Sequence, residues 1–162
     1  MRFSDKVVLV TGASRNTGLG IAARFAAEGA TVLVNGSTPE GVARAMEQLR
    51  SRGHERLIAA PADLGDAAAV EALFAHIRQG PGRLDVLVNN AVIQGIGPSL
   101  EDTPLELFER VIRVNLVGVF HVSREAAKMM IAQGGGVIVN IGSNVSTRAI
   151  RNRSAYVASN VG

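Results

Sequence analysis

The sequence predicts a doubly wound α/β domain with one parallel sheet in the strand order 3-2-1-4-5. Three observations predict it. Short β-branched runs alternate with helical patterns along the whole chain. The runs are apolar at consecutive positions, as in strands covered on both faces. Helix-length segments separate them, and right-handed crossovers then restrict which strands can be neighbours.

Taken in order, Lys6 to Thr11 is the first predicted strand, running into a glycine-rich turn. A helix follows, carrying Leu19, Ile21, Ala22, Phe25 and Ala26 and stopped by Gly29. Thr31 to Val34 is the second strand. Ser37-Thr38-Pro39-Glu40 has the pattern of a capping box for a helix along Val42, Met46 and Leu49. Arg56 to Ala60 is the third strand. Asp66 then opens a helix whose Val70, Leu73, Phe74 and Ile77 recur at helical spacing, and Gly80-Pro81-Gly82 ends it. Leu84 to Val88 is the fourth strand. Thr103-Pro104-Leu105-Glu106 offers a second capping box, heading a long helix predicted to reach Ala132. Gly136 to Ile141 is the fifth strand, and a sixth helix begins near Ser154. In this order the winding reverses between strands one and four, so a crevice is expected at their carboxyl ends.

Composition narrows the function. The 162 residues are 47% apolar and 19% charged, which describes one globular domain and excludes a disordered chain. With no cysteine, disulfides, thiol catalysis and thiolate metal sites are excluded. His54, His76 and His121 stand apart without metal-ligand spacing, so no metal is expected. The net charge of +3 comes from scattered arginines, and aromatic residues are 4% with no Trp. That leaves no stacking platform for bases, and no nucleic-acid partner is expected. No apolar run approaches the roughly 20 residues of a membrane span. The polar start Met1-Arg2-Phe3-Ser4-Asp5 leaves no room for a signal peptide, so the expected setting is cytoplasmic.

The turn after strand one reads Thr11-Gly12-Ala13-Ser14-Arg15-Asn16-Thr17-Gly18-Leu19-Gly20. Such a turn lets backbone N–H groups approach a pyrophosphate, with a helix N-terminus behind them. Further along stand Asp63-Leu64 after strand three, Asn89-Asn90-Ala91 after strand four, and Asn115-Leu116-Val117-Gly118 in the long helix. Ser143 follows strand five, thirteen residues before Tyr156. In their order and spacing these motifs resemble the classical short-chain dehydrogenase/reductase family over nearly the whole chain, and imply its Rossmann-like fold.

The resemblance implies an oxidoreductase that moves hydride between a nicotinamide and a small carbonyl or alcohol substrate. It places the dinucleotide against Gly12, Ser14, Arg15, Asn16, Thr17 and Gly18. Asp63 would accept from the adenine amino group beside the Leu64 backbone, and Asn89 and Ala91 would stand by the adenosine ribose. Plain structural roles also fit some of these: a turn residue for Asp63, strand termination for Asn89 and Asn90. The end of strand two, Asn35-Gly36-Ser37, has no acid for a ribose 2′-hydroxyl, and Arg15 resembles the base that pairs with a 2′-phosphate. NADP is therefore expected over NAD. Ser37 either helps hold that phosphate or caps the next helix.

For catalysis the resemblance implies that Ser143 bonds the substrate oxygen and Tyr156 transfers the proton. Asn115 would hold a water of the proton relay at a kink in the long helix. The family's lysine four residues after the tyrosine is absent. Asn160 stands there, able to meet a ribose hydroxyl but carrying no charge. Val92 replaces a glycine, and Arg148, Arg151 and Arg153 line the loop before Tyr156, as a solvated surface or a draw for anionic substrates.

The family continues through the tyrosine helix, two more strands and a substrate-covering segment. Residues 1–162 are thus read as a single dinucleotide-binding domain incomplete at its C-terminal end, with strand five an uncovered apolar edge. The family is homo-oligomeric through the long helix and the tyrosine helix. Two readings result: an NADP-dependent oxidoreductase, or a nucleotide-binding remnant of one with catalysis impaired or lost.

Overall fold

The computed structural model of the chain describes residues 1–97 and 99–161. Five parallel strands, β1 (Val7–Val10), β2 (Thr31–Gly36), β3 (Leu57–Pro61), β4 (Val86–Asn89) and β5 (Val137–Asn140), lie in the order β3-β2-β1-β4-β5. That is the predicted order. Val8 pairs with Val32 on one side and Val86 on the other, so β1 is the central strand.

Side chains alternate across the sheet and give it two cores. Val8, Val10, Val32, Val34, Val86 and Val88 face α1 (Asn16–Ala27) and α2 (Pro39–Arg50). Leu9, Leu33 and Leu87 face the other way, packing with Phe74 and Ile77 of α3 (Ala67–Gln79). The same core takes Val122, Ala126 and Met130 from α5 (Val119–Ala132). A layer of helices on each face explains why the strands read as continuous apolar runs. The edge strands are the exceptions: Val137 and Val139 of β5 are exposed, and of β3 only Ala60 is fully buried.

Two helix boundaries follow from local chemistry. Asp66 caps α3, accepting from the Ala68 N–H at 2.9 Å. Gly29, with φ +94°, follows the last turn of α1. Two capping expectations need correction. Thr38, not Ser37, caps α2, accepting from the Gly41 N–H at 3.2 Å. The box at Thr103 does not form, because its hydroxyl donates to the Ser99 carbonyl at 2.8 Å and Pro104 takes the cap position. The long helix ends at Ala132 as predicted but is not α-helical throughout. α4 (Leu105–Ile112) passes into a π-helical stretch, Arg113–Gly118, before α5. The last helix, α6 (Ser154–Val161), packs on α4. Among the described residues no helix is long and apolar enough to cross a membrane.

At the end of the sheet away from the β1 and β4 carboxyl ends, buried Asp85 ties β4 to β1. Its carboxylate accepts from the Val7 N–H at 2.9 Å, from Arg83 Nη2 at 2.6 Å and from Lys6 Nζ at 3.4 Å. Burial pushes this carboxyl up, but the Arg83 and Val7 hydrogen bonds and the Arg83 and Lys6 charges outweigh it. The group is held below the ordinary carboxylate range. A depressed folded-state pKa contributes stability above the unfolded value, lost as pH falls through the folded one. Asp85→Asn is therefore expected to cost about 2 kcal/mol at pH 7. Urea denaturation should show that gap shrinking as pH falls below roughly 4, where the unfolded chain's carboxyl takes up its proton before the folded one does. A gap constant down to pH 3 would count against this account.

Candidate functional site

At the carboxyl ends of β1 and β4 the chain builds a tight turn from three polar side chains. The Thr11 hydroxyl donates to the Val88 carbonyl and accepts from the N–H groups of Asn90 and Ala91, at 2.9 and 3.0 Å. Asn90 Nδ2 donates back to the carbonyls of Thr11, at 2.9 Å, and Gly12, at 3.2 Å. Buried Asn35 accepts from the Gly12 N–H at 3.3 Å and donates to the carbonyls of Ala60 and Ala62. Strands β2, β3 and β4 thereby all brace the turn.

Glycine is required at two points of it. Gly12 has φ +62°, and a Cβ there would stand 2.7 Å from Ala91 Cα. A Cβ on Gly18 would overlap the Gly12 carbonyl oxygen and lie 2.5 Å from Asn90 Nδ2. Asn16 has φ +49°, a conformation Asn tolerates better than most residues. Arg15, extended at the cap of α1, gives the helix no side-chain cap bond. Its first-turn N–H groups and positive end therefore remain open to an anion.

The turn opens on a crevice of about 510 Å³, within the range of roughly 300–1,000 Å³ usual for small-molecule sites. Gly12, Ser14, Arg15, Asn16, Thr17 and Gly18 line one wall. Asn35, Gly36 and Ser37 close the β2 side, and Ala62, Asp63 and Leu64 the β3 side. Asn90 to Gln94, with Arg110 and Val114, complete it. Its one acid is Asp63, which accepts from Arg110 Nη2 at 2.6 Å and from the Gly65 N–H at 2.9 Å. Burial raises that carboxyl, but the Arg110 and Gly65 hydrogen bonds and the Arg110 charge bring it below its ordinary value.

Asn89, expected beside a ribose, stands behind the crevice. It is buried, and its Nδ2 donates to Ser123 Oγ at 2.9 Å and Asn140 Oδ1 at 2.8 Å, sealing β4 to β5 and α5. The signal was available, since Asn89 shares the face of Leu87, which packs toward α5.

The residues expected to be catalytic lie beyond this wall. Ser143, half-buried, follows β5 and heads a 3₁₀ turn, Asn144–Ser146, on which α6 packs. Tyr156, also half-buried, is in the first turn of α6. Asn115 lies within the π-helical stretch. Its Oδ1 accepts from the Ile93 N–H at 2.8 Å, and its Nδ2 donates to the Ile93 carbonyl and to Ser159 Oγ. One amide thus fastens the loop after β4 to the tyrosine helix, with one Oδ1 lone pair left over. Asn160 Nδ2 is turned back on its own helix, donating to the Tyr156 carbonyl at 2.8 Å.

The chain is similar in sequence and fold to known proteins. Residues 6–162 match the sequence family described as short chain dehydrogenase. The chain is 40% identical over 161 residues to a 3beta-hydroxysteroid dehydrogenase of Mediterraneibacter gnavus, covering 98% of this chain and 56% of that protein. It superposes on NAD⁺-bound xylitol dehydrogenase with a TM-score of 0.92 at 34% identity, covering 99% of this chain and 62% of that one. A polyketide ketoreductase, actinorhodin's, solved with NADPH gives 0.91 at 35% identity with the same coverages. This chain therefore spans less than two thirds of the length of each. With the motifs in order, the fold matched throughout and a family match over nearly every residue, the chain belongs to the short chain dehydrogenase family.

Proposed function

We propose that this chain binds NADP in preference to NAD, in an oxidoreductase site for a carbonyl or alcohol substrate whose proton-transfer step is impaired. One observation carries the cofactor choice: the β2 end of the crevice presents Arg15 and Ser37 and no acid. Asn35 is turned inward and spent on the turn, so it offers nothing to a ribose hydroxyl. A Cβ on Gly36 would already stand 3.0 Å from Ser14 Cβ, which crowds out an acid there. Arg15 is exposed, and guanidinium with phosphate makes strong charge-assisted bonds. The related structures carry NAD⁺ in one case and NADPH in the other, so the choice rests on these residues.

The crevice suits the dinucleotide: open N–H groups at the turn, Arg15 for the 2′-phosphate, and Asp63 with Leu64 for the base. When bound, the cofactor supplies or takes the hydride. Ser143 orients the substrate oxygen, Tyr156 gives or takes its proton, and Asn115 holds the loop at Ile93 and the tyrosine helix in fixed relation. Asn160 supports the impaired reading, because its neutral amide faces its own helix where a cation would assist the phenol. A cysteine-free chain is in keeping with a reducing, cytoplasmic setting.

Titration of NADPH and NADH into the purified chain, followed by nicotinamide fluorescence, tests the proposal. NADPH should bind more tightly, and Arg15→Ala should weaken it by roughly 10- to 100-fold, the worth of a charge-assisted contact. NADH should change little. Equal or tighter binding of NADH by the parent would sink the cofactor assignment.

A further inference from the structure

We propose that Arg110 is a positioning residue for base recognition: it holds Asp63 so that the carboxylate accepts from an exocyclic amino group, and thereby selects adenine over a base with a carbonyl there. The inference rests on the nucleotide reading of the crevice. Arg110 is on α4 and Asp63 on the turn after β3, 47 residues apart, so only the folded chain brings them together. Both side chains line the crevice and stay partly open, at 40% and 36% exposure, so a ligand can reach the pair.

The geometry divides the carboxylate's work. Oδ2 takes the Arg110 bond and Oδ1 the Gly65 N–H, which fixes the plane of the group. An ionised carboxylate only accepts, and each oxygen keeps a lone pair free after these bonds. It can therefore welcome an amino N–H and repel a carbonyl oxygen. The apolar side chains of Leu64 and Val114 flank the same wall, where a flat base would lie. Without Arg110, Asp63 would keep the Gly65 contact alone and be free to turn.

The test compares two ligands, NADPH and its hypoxanthine counterpart, in which a carbonyl replaces the adenine amino group. Reduced nicotinamide mononucleotide, which has no base, serves as control. The parent should prefer NADPH. R110A should weaken NADPH binding by roughly three- to tenfold, as for a partly exposed charged contact, and leave the hypoxanthine form nearly unchanged. The preference then collapses while mononucleotide binding holds. R110K should fall between, because an ammonium keeps the charge without the planar fork. It also carries the comparison if R110A melts too low to assay.

A merely structural brace would lower the melting temperature and leave the ratio of the two affinities at the parent value, and that result overturns the inference. A parent chain that binds neither dinucleotide overturns the nucleotide reading and this inference with it. A parent that binds both equally overturns the inference alone.

Discussion

Replacing Asn160 by lysine is expected to raise NADPH-dependent reduction of a simple ketone by roughly 10²- to 10⁴-fold. Tyr156 and Asn160 are four residues apart on α6, so their side chains share a face. A phenol in water titrates near 10 and is a poor proton donor and acceptor at neutral pH without help. An ammonium about 4 Å from a phenolate is worth on the order of 4 kcal/mol at an effective dielectric near 20, about a thousandfold in rate. Asn160 contributes none of this: it is neutral, and its Nδ2 is held by the Tyr156 carbonyl. Initial rates of NADPH oxidation, with parent and variant at saturating cofactor from pH 6 to 9, decide the matter. The gain should vanish in the Tyr156→Phe, Asn160→Lys double variant, because the lysine acts through the phenol. A parent as fast as the variant would show that the missing charge is not what limits the step.

The strand order was legible because it rests on alternation and handedness, which are properties of whole segments. The two capping errors come from a finer scale. Ser37 and Thr38 are adjacent candidates for one cap, and which hydroxyl meets the helix depends on where the chain leaves β2. Thr103 lost its cap to the Ser99 carbonyl, four residues back along the chain. Motif resemblance picked out the crevice wall from Gly12 to Gly18, whose parts are contiguous in sequence. It did not show what braces that wall. Thr11 is 79 residues from Asn90 and Gly12 is 23 from Asn35, and those bonds exist only because β1 lies between β2 and β4. The Arg110–Asp63 pair was hidden for the same reason. The π-helical turn around Asn115 was not legible in hydrophobic spacing, which does not distinguish it from an α-helical one.

The second large effect separates a glycine the fold requires from one it does not. Gly18 and Gly20 are both on α1, two residues apart. At Gly20 a Cβ would meet nothing within 4 Å, so Gly20→Ala is expected to stabilise the chain by about 0.5–1 kcal/mol through helix propensity. At Gly18 the same methyl would overlap the Gly12 carbonyl oxygen and lie 2.5 Å from Asn90 Nδ2. Neither obstacle yields cheaply, since one is backbone and the other is pinned by bonds to Thr11 and Gly12. Overpacking of this kind costs about 1–3 kcal/mol, and a broken Asn90 bond adds about 1 more. The turn would have to lift off the helix, carrying its N–H groups out of line with a phosphate. Losing two charge-assisted bonds at about 1.5 kcal/mol each weakens NADPH binding roughly 10²-fold. Urea denaturation and fluorescence titration on the two variants give the contrast directly: Gly20→Ala at least as stable as the parent and binding as well, Gly18→Ala impaired in both. A Gly18→Ala chain that melts and binds like the parent would mean the turn has slack, and the contact between helix and phosphate loop would lose its claim to set the site.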